Sequence, residues 1–111
     1  MKKIYHIRKN WEFQAIINSK RQVISKNLIF YYQRNNTFKI GVSIPKKFAG
    51  AVKRNFYKRQ IMAILRDIQD LTNLEYKIVM IVRKNFMALD FLEKKKEIQK
   101  MLERFKNEKR K

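Results

Sequence analysis

The sequence predicts an α+β fold, a two-layer sandwich of helices on one sheet in the order α-β-β-(β)-α-β-α. Three observations carry this. Residues 38–44 alternate apolar and polar with period two, and residues 76–82 form a nearly unbroken apolar run of strand length. Other segments repeat apolar residues every three or four positions, the signature of a helix with one buried stripe.

The elements follow in order. Asn10 is placed to cap a first helix, whose stripe is Phe13, Ile16 and Ile17 and whose end falls near Asn18-Ser19. Residues 22–33 are rich in β-branched and aromatic types and read as one long strand, or as two if it breaks near Lys26. Asn35-Asn36 tolerates a turn, and Phe38, Ile40, Val42 and Ile44 alternate with Lys39, Gly41 and Ser43, which predicts a hairpin with one polar face. Pro45 interrupts the ladder and leads to a helix from about Ala51, with Tyr57, Ile61, Ile64, Leu65 and Ile68 on its core side. Tyr76-Lys77-Ile78-Val79-Met80-Ile81-Val82 suits a strand buried on both faces. Asp90 and Glu93 have capping-box spacing before a last helix, whose expected stripe is Ala88, Phe91, Ile98, Leu102 and Phe105. One domain over residues 1–111 is expected, with a basic, frayed tail at 106–111.

Charge dominates the composition. The 28 Lys and Arg against nine Asp and Glu give a formal net charge of +19, which opposes compaction unless a polyanion compensates it. Nucleic acid is the leading partner; no stretch is apolar enough to span a bilayer, so none is expected in a membrane. Met1-Lys2-Lys3 leads into neither an apolar core nor a small-residue cleavage site, so a cytoplasmic location is expected. With no cysteine and a single histidine, His6, disulfides, thiolate chemistry and a His/Cys metal site are not expected, nor is a cofactor in the protein itself.

Function concentrates at residues 53–59. On a helix, Arg54, Asn55, Lys58 and Arg59 share an arc of roughly 140°, and Arg66 extends the same side. Like charges so spaced repel, unless an anion such as a phosphate backbone sits against them. Arg offers a bidentate fork, Asn a contact to sugar or base edge, Lys a mobile charge. The competing reading is a solvated helix face.

The stretch Gly41-Val42-Ser43-Ile44-Pro45-Lys46-Lys47-Phe48-Ala49-Gly50-Ala51-Val52-Lys53-Arg54-Asn55-Phe56-Tyr57-Lys58-Arg59 resembles, without a gap, the signature of the bacterial ribonuclease P protein component, approximately G-[LV]-S-[VI]-x-K-K-x-G-x-A-V-x-R-N-R-x-K-R. Upstream, Ile7, Lys9, Asn10, Glu12 and Phe13 resemble the family's approach to its first helix, and Tyr31 falls on its strand tyrosine. The chain departs from the pattern at Phe56, which replaces the second arginine of R-N-R, at Ala49-Gly50, which replaces Gly-Asn, and at His6, which replaces an arginine. Phe56 reads either as a stacking residue or as packing on a neighbour, with packing preferred.

The resemblance implies a left-handed β-α-β crossover, against the usual rule, and a noncatalytic, monomeric subunit with two partners. One is a catalytic RNA, held by Lys53, Arg54, Asn55, Lys58, Arg59 and Arg66 and carrying the magnesium ions of the holoenzyme. The other is precursor tRNA, whose single-stranded 5′ leader would lie in a cleft lined by Phe13, Ile17 and Tyr31, with Ser43 and Lys46 nearby. Core packing is the alternative for Phe13, Ile17 and Tyr31. An extended single strand suits stacking on aromatics above a basic channel. No catalytic residue is assigned: Asp67, Asp70 and Glu75 read as surface and turn acids. The rival reading is a ribosomal or general basic RNA-binding protein with no processing role.

Overall fold

The apolar run at 76–82 becomes the strand around which the sheet is organised. In the computed structural model, which describes residues 5–7, 9–68 and 74–109, the strands are β1 (Tyr5–His6), β2 (Gln22–Ile24), β3 (Leu28–Arg34), β4 (Lys39–Ser43) and β5 (Tyr76–Val82). The helices are α1 (Asn10–Asn18), α2 (Ala51–Asp67), the short α3 (Lys84–Met87) and α4 (Phe91–Lys109). The spatial order is β1-β4-β5-β3-β2, with β5 antiparallel to β3 and parallel to β4. An α+β fold with a mixed sheet is therefore observed, and α2 makes the crossover between the adjacent parallel strands β4 and β5.

The hairpin expected between the third and fourth strands does not form. Both β3 and β4 pair with β5, which separates them. A strand apolar on both faces is best buried at the sheet centre, flanked on each side. The turn also steers β3 that way, since the Asn35 amide donates to the Glu75 carbonyl at 3.0 Å, at the start of β5. Residues 22–33 do break, and β2 and β3 form an antiparallel hairpin. Ser25 makes that corner, its hydroxyl oxygen accepting from the amides of Leu28 at 3.0 Å and Asn27 at 3.3 Å.

Period two divides the sheet. Phe30, Ile40, Val42, Ile78, Met80 and Val82 face α2 and α4, where they join Ile61, Ile64, Leu65, Ile98, Leu102 and Phe105 in the main core. Val79 and Ile81 face the other way and pack with Ile7, Phe13, Ile16, Ile17 and Tyr31. Helix α1 thus lies on the sheet face opposite α2 and α4. Its N-cap position is Lys9 and lacks a side-chain cap, so Asn10 is the first helical residue rather than the cap. Beyond its end Lys20 turns the chain with a left-handed φ of 61°.

The capping box forms as expected. The Asp90 carboxylate accepts from the Glu93 amide at 2.8 Å and the Glu93 carboxylate from the Asp90 amide at 3.2 Å. That start leaves Ala88 in the α3–α4 connection and Phe91 in the first turn, 42% exposed, so neither belongs to the stripe. The inward face of α4 is Lys94, Ile98, Met101, Leu102 and Phe105. The helix continues through Lys109; residues 110–111 and Asp70 lie outside the described set.

Candidate nucleic-acid interface

Glycine at position 41 is what lets α1 sit close to the sheet. A Cβ there would lie 2.6 Å from Cζ of Phe13 and 3.1 Å from Cβ of Ile7. The Phe13 ring therefore rests on bare β4 backbone. Glu12, one residue earlier, faces Lys77 Nζ at 3.6 Å and Lys39 Nζ at 4.0 Å, with only 12% of its side chain exposed. Two lysines on neighbouring strands thus clamp the first turn of α1.

Among the described residues, β1 pairs only with Lys39 and Ile40, which leaves the later half of β4 with β5 as its one strand neighbour. Along that open edge, between α1 and the first turns of α2, runs a cleft of about 590 Å³. Phe13 and Ile17 of α1 form one wall, and Gly41 and Ser43 the floor. Lys46 follows in the connection, and Arg54 and Lys58 of α2 form the far wall.

The structure thus brings together Phe13, Ile17, Ser43 and Lys46, four of the five residues expected at a leader site. Tyr31 stands apart from the cleft lining, half-buried on the face covered by α1, in register with Val79. Arg54 and Lys58, expected on a separate catalytic-RNA surface, face into the cleft. Lys53, Asn55 and Arg59 are exposed on the outer side of α2, and Arg66 is exposed farther along it. Phe56 is 59% exposed, so it does not pack in the core; its ring lies edge-on to the neighbouring Tyr57, with centroids 5.5 Å apart. It occupies the helix side turned away from the core stripe.

His6, Asn10 and Gln14 also line the cleft. Asn10 and Gln14 were legible in principle, because they share one helix face with Phe13 and Ile17. His6 was marked by the resemblance as standing where the family has an arginine, and its place in the cleft follows from the short parallel pairing of β1 with β4. The acids behave as surface groups: Asp67 lies 4.0 Å from Lys95 and Glu75 3.5 Å from Arg34. Among the described residues no three His, Cys, Asp or Glu side chains gather as a metal site, and no helix is long and apolar enough to cross a membrane.

A strongly basic α+β domain, with a cationic cleft between a small helix and the start of a basic one, defines a protein built to bind a polyanion. The chain belongs to the Ribonuclease P family, whose profile matches residues 1–106. It is 54% identical to the ribonuclease P protein component of Mycoplasma mobile, over all of this chain and 98% of that one. The RNase P protein of Staphylococcus aureus matches it with a TM-score of 0.79 at 28% identity, covering 91% of this chain and 94% of that one. The protein from Thermotoga maritima, at 23% identity over 89% of this chain and 96% of that one, shares the fold with a TM-score of 0.78. The family is the protein subunit of ribonuclease P, a ribonucleoprotein of tRNA processing, and a general RNA-binding protein without a processing role is not favoured.

Proposed function

We propose that this chain acts as the noncatalytic partner of a catalytic RNA, binding that RNA through the outer face of α2 and the single-stranded 5′ leader of precursor tRNA through the cleft. The observation that carries the reading is the convergence of Phe13, Ser43, Lys46, Arg54 and Lys58 on one groove. Aromatic and aliphatic side chains on one wall offer stacking surface, and cations on the other follow phosphates. Leader binding of this kind tolerates sequence.

Arg54 and Lys58 belong to both surfaces in this reading. They sit where the leader would pass from the cleft toward the catalytic RNA, so their charge serves the junction of the two. Hydrolysis is assigned to divalent ions held by the RNA. The protein contributes substrate affinity, charge neutralisation and preference for precursor over mature tRNA, because the product lacks the leader. The reading includes a monomer before assembly and a cytoplasmic location.

One reconstitution tests it. The chain is mixed with its cognate catalytic RNA at low magnesium and release of the 5′ leader from precursor tRNA is measured. Stimulation that grows with leader length is expected, and absence of stimulation would overturn the proposal. Cleavage by the protein alone would instead favour a self-contained nuclease.

A further inference from the structure

Phe56 is the largest apolar side chain presented by α2 to solvent, and it stands among cations. On the helix Lys53 and Arg59 flank it, each about 60° round the axis. Both flanking residues are exposed, as is Val52 one turn earlier, at 84%. An aromatic so placed adds little to folding. It does remove the like-charge repulsion that a third cation at the 53-56-59 spacing would create.

The ring is also supported from below. Phe56 meets Tyr57 edge to face, with centroids 5.5 Å apart and planes at 72°. The Tyr57 ring lies beneath the Lys94 ammonium at 4.5 Å, and that ammonium donates to Gln60 Oε1 at 2.8 Å. Lys94 is only 3% exposed, and the Phe86 ring, fully buried, lies 5.9 Å from its charge. A continuous series therefore runs Phe86, Lys94, Tyr57, Phe56, from the core to the surface. Edge-to-face and cation–π contacts each favour one relative orientation, so the outermost ring is presented in a set pose.

We propose that Phe56 is a stacking platform for an unpaired base of the catalytic RNA, with Lys53 and Arg59 holding the phosphates on either side of that base. This rests on the reading of α2 as the catalytic-RNA face and deepens it: at this position recognition passes from charge to a π-surface. Every base presents such a face, and its stacking removes ring area from water without neutralising a phosphate.

The salt dependence of binding separates the two chemistries. Affinity of the full chain for its cognate catalytic RNA is measured across a salt series for Phe56→Ala, Phe56→Trp, Phe56→Arg and Arg59→Ala. Phe56→Ala is expected to bind roughly 5- to 160-fold more weakly with an unchanged slope, the range of one base stack. Phe56→Trp keeps the affinity, and Phe56→Arg steepens the log–log slope by about 0.7 to 0.9, one phosphate's worth. In a Trp11→Phe background, the indole of Phe56→Trp is quenched when the RNA binds. Wild-type affinity in Phe56→Ala, failure of Phe56→Trp to hold affinity, or an unquenched indole would each overturn stacking. Loss in Arg59→Ala with none in Phe56→Ala refutes stacking alone; no effect of either refutes the α2 reading with it.

Discussion

The two faces of the sheet are covered to different degrees. Toward α2 and α4, every inward residue of β3, β4 and β5 that joins the core is apolar, and Phe30, Ile40, Ile78 and Met80 are fully buried there. Toward α1, a nine-residue helix covers a small cluster and leaves Ser43, Lys46 and the Phe13 flank open along β4. Polar positions alternate onto that face, where Lys39 and Lys77 meet Glu12. One face holds the main core and the other a small cluster, and the cleft follows the open β4 edge, between α1 on one side of the sheet and the first turns of α2 on the other.

Substitutions on the two faces should therefore separate folding from binding. Phe105→Ala removes a fully buried ring edge-on to Phe30, Tyr32 and Tyr76. It should cost about 3–5 kcal/mol in urea denaturation, with leader affinity unchanged in the molecules that remain folded. Gly41→Val places a side chain where the Phe13 ring lies, 2.6 Å from its Cζ. A loss of about 1–3 kcal/mol is expected, accompanied by weaker leader binding because Phe13 must leave the cleft wall. A Gly41→Val chain that binds the leader normally would break the link between α1 seating and cleft shape.

A smaller effect is expected at the first turn of α1. Glu12→Gln leaves Lys39 and Lys77 without their shared carboxylate, and should lower stability by on the order of 1 kcal/mol at low salt and less at high salt. Leader affinity should fall more than catalytic-RNA affinity, measured by filter binding.

Lys94 tests the packed face from the opposite direction. Burial holds its ammonium below the usual lysine value of 10.5. The penalty for burying the charge is complete below the folded-state pKa. It is relieved as pH rises from that value toward 10.5, because the unfolded chain then binds more protons than the folded one. Stability from this group therefore increases with pH across that window. Lys94→Met should abolish this component and match or exceed wild-type stability near neutral pH, by about 1 kcal/mol at most. Equal alkaline pH profiles for the two chains in thermal melts would contradict it.

Periodicity and composition marked local elements well because the information is local. The β5 bounds came from one apolar run, the start of α4 from the Asp90–Glu93 spacing, and the α2 stripe from 3.6-residue repetition. The gap-free motif around Arg54-Asn55 marked the family. The site was legible in part: Phe13, Ile17, Ser43 and Lys46 were placed together by resemblance and are together in space. Tyr31 lies off the cleft lining, and Arg54 and Lys58 lie on it.

By itself, then, the sequence determined the element types, the basic helix and the kinship. Long-range packing decided that β5 enters between β3 and β4 and that α1 takes the sheet face opposite α2, whereas the 3.6-residue stripe of α2 already left Phe56 off its core side. The two long-range choices share one physical reason. Period two or 3.6 identifies which side of an element is apolar, whereas the partner that covers it is chosen among distant segments by competition for burial, and no local pattern encodes that choice.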